Sequence, residues 1–188
     1  MPGPIVEVGD DLVLRTVERE DAAFVQRLFA DPFARLGFHE STAKTESEVE
    51  ELIEEQVEDS DNVGYMVCRD DDSADYDHPD DDETTRVAFV YGHHVDRDRP
   101  SLAFWIPPER REDGVGAAAL GLVLDSLFRT YDAHSVGATV ADGDDYARSV
   151  VESAGFVEEG YGREVQFVEG EYRDVTEYGL LREEWSED

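Results

Sequence analysis

The chain of 188 residues carries 48 acidic and 16 basic side chains, a net charge of −32, with Lys44 its one lysine. Nucleic acid is an improbable partner for such a charge, since no basic stripe is present to meet phosphates. The 40% hydrophobic content, with nine Phe, eight Tyr and two Trp, is enough for one ordinary core spanning residues 1–188. No apolar run reaches membrane-spanning length, so no membrane segment is expected. The N-terminus lacks a basic flank and an apolar stretch, so no secretory signal is expected. The single Cys68 excludes an internal disulfide and fits a reducing cytoplasm. The acids are spread over nearly every segment, which reads as whole-surface adaptation to a high-salt, halophilic cytoplasm, where charge is screened within a few ångströms.

In chain order, residues 5–8 and 12–16 are short β-prone runs around the turn Gly9-Asp10. Residues 20–30 read as a helix with Ala22, Val25, Leu28 and Phe29 on one face, stopped by Asp31-Pro32. His39-Glu40 precedes a long loop and reads either as a substrate entrance or as structure. Thr45 and Glu48 form a capping-box pair opening a second helix. Residues 64–69 are a strand. Residues 70–85 form an acidic loop with eight aspartates and no calcium-loop spacing, inserted between two hairpin strands. Strands follow at 86–95 and 101–106.

The segment 108–124 runs from Pro108 through charged residues and the pair Gly114, Gly116 into an apolar helix. That helix bears the stripe Leu120, Val123, Leu124, Leu127, Phe128. Residues 135–140 alternate like a strand. Residues 144–154 form a helix closed by Gly155, and strands at 156–161, 164–168 and 173–181 finish the chain, with Glu169-Gly170 turning the last pair. Hairpin-linked strands with two crossover helices indicate a mixed α/β (α+β) domain.

A helix N-terminus carries partial positive charge and unpaired N–H groups, and glycines let a phosphate approach them. Gly114 and Gly116 would allow that approach, Ala117 and Ala118 keep the first turn small, and Arg111 could add a charged donor. Neither a Walker A motif nor a dinucleotide fingerprint is present.

Pro108, Arg111, Gly114 and Gly116 at a strand-to-helix junction resemble the acetyl-CoA pyrophosphate loop of the GNAT acetyltransferases. Leu14-Arg15 with Glu20-Asp21, Gly155-Phe156, Glu159-Gly160, and the tail Gly170, Tyr172, Asp174, Tyr178, Leu180-Leu181, Glu184-Trp185 extend the resemblance over nearly the whole chain. They resemble the branch of ribosomal-protein alanine N-acetyltransferases. The resemblance implies a mostly antiparallel central sheet of about seven strands with one splayed parallel pair, flanked by helices. It implies that acetyl-CoA, the co-substrate, lies between those strands. The backbone of Phe104, Trp105 and Ile106 would pair with pantetheine, and N–H groups of Asp113, Gly114, Val115, Gly116, Ala117 and Ala118 would hold the pyrophosphate. The acceptor, a small primary amine or a protein N-terminus, would enter between the N-terminal helices and the last hairpin. Transfer would be direct, with no acyl-enzyme and no metal. The family often forms homodimers through edge strands or the last hairpin.

The chain departs from the family pattern at four places. Glu112 stands where the loop usually has glycine, and Asp113 follows. Asp144 and Ala147 stand where that branch has asparagine and serine. Ser101 replaces a frequent glutamate, and Val151 a frequent tyrosine. Among remaining groups, His94 is assigned as a base, since His93-His94 alternate across a strand and one faces inward. Asp144 and Tyr146 are assigned to the thiol end. Cys68 reads as a buried core thiol. The five histidines show no metal-ligand spacing. Three readings stand: an acetyl-CoA-dependent N-acetyltransferase, a non-catalytic acyl-CoA-binding or interaction protein with a degenerated site, and an acidic docking protein for basic partners whose binding would vanish at molar salt.

Overall fold

A computed structural model describes residues 2–40, 42–57, 61–111 and 114–185. Eight strands form one sheet: β1 (Ile5–Val8), β2 (Val13–Thr16), β3 (Asn62–Asp70), β4 (Thr84–His93), β5 (Ser101–Trp105), β6 (Ser135–Ala141), β7 (Val157–Val168) and β8 (Glu171–Leu181). Their order is β1-β2-β3-β4-β5-β6-β8-β7. Only β5 and β6 run parallel, and every other neighbouring pair is antiparallel. The sheet thus has eight strands rather than about seven. Residues 156–161 and 164–168, expected as two strands, are one strand with irregular pairing to β8 between Gly162 and Gln166.

Helices α1 (Ala22–Gln26), α2 (Pro32–Gly37) and α3 (Glu46–Val57) cover one face, while α4 (Val115–Thr130) and α5 (Asp145–Ser153) cover the other. A final turn, α6 (Arg182–Trp185), closes the chain. The α4 stripe Leu120, Val123, Leu124, Leu127 and Phe128 is wholly buried against β2, β4 and β6, as its spacing requires. Ala22, Val25, Leu28 and Phe29 are buried in the opposite layer with Met66, Cys68, Phe89 and Trp105. Burial pushes the Cys68 thiol up to about 12, so it is an inert core group.

Asp31-Pro32 does more than stop a helix. The Asp31 carboxylate accepts from the N–H groups of Phe33 and Ala34 at 3.0 and 3.3 Å, and Pro32 occupies the first turn of α2. An N-cap acid followed by proline starts a helix as readily as it ends one. Thr45 and Glu48 exchange capping bonds ahead of α3, as expected.

The Arg15 and Asp21 signature proves structural. Arg15 is fully buried, bonds Asp70 at 2.6 Å, and donates to the carbonyls of Gly3, Asp75 and Tyr76. It therefore anchors the acidic segment 71–83 between β3 and β4. Buried Asp21 pairs with Arg86 at 2.8 Å. Among the described residues no helix is long and apolar enough to cross a membrane.

Candidate active site

The site forms where β5 and β6 separate. They pair only at Ser101–Gly137 and Leu102–Ala138; beyond that the strands splay and leave backbone edges unpaired. Parallel strands with no further ladder bonds need another partner for those groups. The gap contains two small spaces of about 40 Å³ and 20 Å³, both bordered by Ala34, Phe104, Asp144 and Ala147. Residues of α2 close it from one side and α5 from the other.

The N-terminus of α4 opens beside the gap. Gly114 sits in the left-handed region at φ 83°, with open space where a Cβ would stand. Its need for glycine is therefore conformational rather than steric. Val115, Gly116 and Ala117 belong to the first turn, where N–H groups lack intrahelical acceptors. Ala118 differs from expectation: its N–H bonds the Gly114 carbonyl at 2.9 Å, the first bond of the helix, and is not available to a phosphate. Glu112 and Asp113 lie outside the described residues.

Arg111 points into the gap rather than outward to the helix end. Its Nε donates to the Ile106 carbonyl at 3.0 Å, and Nη2 reaches Asp31 at 3.3 Å. Its guanidinium lies 4.5 Å over the Tyr146 ring. Tyr146 is half-buried, and its hydroxyl is buried without a hydrogen-bond partner among the described residues. That hydroxyl stands 3.2 Å from where a Cβ on Gly116 would be, so Tyr146 joins α5 to the start of α4. Burial raises its pKa, keeping the phenol a proton donor at neutral pH.

Asp144 caps α5, accepting from the Ala147 N–H at 3.0 Å. Burial raises its carboxyl pKa, nearby Asp31 adds to the rise, and the Ala147 bond and Arg111 oppose it. Phe104 lines both spaces, while the Trp105 ring is buried in the opposite layer against Phe24 at 5.6 Å. Only the backbone of Trp105 can face the gap.

His94 is not in the site. β4 ends at His93, and His94 is exposed in the following turn at φ 54°, its N–H bonded to Asn62. The strand alternation stops at His93, one residue short of His94. His93 is the inward residue: its Nε2 donates to the Gly37 carbonyl at 3.3 Å, and burial lowers its pKa to about 4.

A third cavity of about 450 Å³ lies between α2 and β7, bordered by Arg35, His39, Glu40, Gln166, Phe167 and Glu169 among others. Gln166 borders both this cavity and the gap. Phe104, Ile106, Arg111, Asp144 and Tyr146 border one space of the gap together. Asp31, Ala34, Gly37 and Gln166 also border the gap without a sequence motif to announce it, although Asp31-Pro32 carried a capping signal.

The sequence matches the acetyltransferase (GNAT) domain family over residues 11–157. The chain belongs to the GNAT acetyltransferase family. Its mixed α/β sheet, with one splayed parallel pair, is the GNAT fold. Spermidine N(1)-acetyltransferase of Vibrio cholerae is 24% identical over 180 residues, spanning 95% of this chain and 97% of that protein. The crystal structure of the Vibrio cholerae spermidine N-acetyltransferase in complex with CoA and spermine superposes with a TM-score of 0.78 at 23% identity, covering 95% of this chain and 99% of that one. The putative ribosomal N-acetyltransferase YdaF of Bacillus subtilis is 31% identical over 87 residues, 46% of this chain. The chain spans about half of that protein's length (48%). Among the described residues no cluster of potential metal ligands is found.

Proposed function

We propose that this GNAT protein transfers acetyl from acetyl-CoA directly to a primary amine. The observation that carries this is the parting of β5 and β6 after Leu102–Ala138, with the helix start of α4 beside the gap. The pantetheine arm would lie along Phe104–Ile106, and the pyrophosphate would meet the N–H groups of Val115, Gly116 and Ala117. Arg111 must first leave the Ile106 carbonyl, because the two small spaces cannot hold a pantetheine while it is there. Its departure frees both that carbonyl, an acceptor for a pantetheine amide, and the guanidinium, which can swing to the phosphates.

In the reaction the amine nitrogen attacks the thioester carbonyl, the C–N bond forms and the C–S bond breaks. Tyr146, whose hydroxyl stands beside Gly116, belongs to the pyrophosphate end, and the departing thiolate takes its proton from solvent. Asp144 would position the α5 start through its cap rather than act as an acid. The acceptor would enter through the cavity beside α2. Its carboxylates Glu40 and Glu169 suit a cationic amine, in keeping with the polyamine relatives. The free edge of β7, with exposed Tyr161, Val165 and Phe167, is the face through which two copies would pair.

Calorimetric titration of acetyl-CoA in molar KCl, followed by CoA-thiol release with spermidine and with an alanine-terminated peptide, tests the proposal. Binding with turnover supports it. The second reading, a non-catalytic acyl-CoA binder, is favoured by Arg111 filling the gap and by the Asp144 and Asp31 carboxylates beside it; binding without turnover would select it.

A further inference from the structure

Two imidazoles in contact, His39 and His93, link the lining of the acceptor-side cavity to that of the gap. His93 pairs across strands with Ser101, and Ser101 with Leu102 holds the last contacts between β5 and β6 before they part. If acetyl-CoA lies in that gap, the thioester end is next to this junction. The His93 ring lies 4.8 Å from the His39 ring at an interplanar angle of 65°. His39 borders the 450 Å³ cavity, whereas Gly37, to which His93 is bonded, borders the gap. Gln166 borders both.

His39 is held there at some cost. It has φ 56°, a left-handed conformation that is unfavourable by roughly 1–2 kcal/mol for a side chain of this kind. The turn after α2 fixes it, with the Phe38 and Glu40 N–H groups both bonded to the Arg35 carbonyl.

We propose that His39 is the base that takes the proton from the acceptor amine, and that His93 is a positioning residue behind it. This rests on the transferase reading above. His93 donates Nε2–H to a carbonyl, which fixes its neutral tautomer. Burial disfavours its charged form, and the neighbouring His39 and His94 add to that effect. The charged and titratable groups around the pair are Arg35 from α2, Glu40 after it, Glu169 at the β7–β8 turn, Tyr91 from β4 with its ring 4.6 Å from His93, and His94. Glu40 is paired with Lys44 at 2.9 Å, so it is a weaker candidate for the same task.

The step balances without further reactants. The neutral amine attacks the carbonyl carbon, its nitrogen gives one proton to His39, and the C–S electron pair leaves with the thiolate. The thiolate takes a proton from solvent, to which His39 releases its own.

The test is His39→Gly assayed with acetyl-CoA and whichever of spermidine or the alanine-terminated peptide the wild type uses better, with and without added imidazole. Glycine suits the left-handed backbone, so the fold is retained, and it opens space for a free imidazole. The expected result is a loss of about 100-fold in kcat/KM, part of it restored by imidazole, with no restoration in His39→Gln, whose side chain fills that space. Wild-type activity in His39→Gly, or a loss that imidazole leaves untouched, overturns the assignment while the transferase reading stands. No turnover by the wild type with either acceptor overturns both.

Discussion

Gly116→Ala probes the joint between the start of α4 and α5 on which the cofactor site depends. A Cβ at position 116 would lie 2.4 Å from one Val150 methyl, 3.1 Å from the other, and 3.2 Å from the Tyr146 hydroxyl. Carbon atoms rest at about 3.5–4.0 Å, so the first contact is short by roughly 1 Å. Val150 is buried at 5% exposure and cannot simply turn to solvent. Overpacking of this kind costs about 1–3 kcal/mol. The alanine returns up to about 1 kcal/mol through helix propensity, less in a first turn. The net expectation is a loss of about 1–2 kcal/mol, which lowers Tm by about 2–8 °C in a chain of this size. Because α5 carries Tyr146 and Asp144, acetyl-CoA affinity should fall as well. The assay is thermal unfolding in molar KCl of wild type, Gly116→Ala, Val150→Ala and the double variant, with calorimetric titration of acetyl-CoA. Val150→Ala should offset part of the Gly116→Ala loss, a favourable coupling of about 0.5–3 kcal/mol. A Tm that rises in Gly116→Ala, or strict additivity of the two changes, would refute the packing argument.

Asp144→Asn keeps the cap, since asparagine caps as well as aspartate, and removes a charge from the gap. The carboxyl's folded pKa is raised, so the native state holds more protons than the unfolded one just above the ordinary value of 3.8, and stability falls as pH rises through that window. The variant should therefore be more stable than wild type at pH 7, with the difference fading below pH 4, read by denaturant titration at several pH values; it should also bind acetyl-CoA more tightly. His93 has the opposite sign. Its pKa falls from the ordinary 6.5 to about 4, so the unfolded chain binds more protons between those values and stability drops as pH falls through them. His93→Gln should flatten that part of the stability profile, and an unchanged slope would show that His93 is not held neutral. A net charge of −32 implies strong self-repulsion. Raising KCl from 0.1 to 1 M, which shortens the screening length from about 10 to about 3 Å, should raise Tm in scanning calorimetry; a flat response would remove the salt-adaptation reading.

Periodicity and capping chemistry were sufficient to locate most elements. The α4 stripe, the Thr45–Glu48 box, the Gly155 stop and the Glu169-Gly170 turn all depend on neighbours within a few residues, so the sequence carries them openly. The acidic segment between β3 and β4 was visible as composition, but its anchor was not. Arg15 and Asp70 lie 55 residues apart, and nothing local links them. Two local signals were misread because each is shared by two structures. Asp-Pro ends one helix and begins the next, and the alternation of His93-His94 holds only while the strand continues. The sequence by itself determined the family fold and the loop that opens α4, because glycine spacing and helix starts are local properties. Only the tertiary structure decided where Arg111 points, that Ala118 is spent on its own helix, and that His39 meets His93. Those outcomes depend on α2, β4, β5 and α5 arriving at one place, and burial and hydrogen-bond satisfaction over long sequence separations fix that arrival.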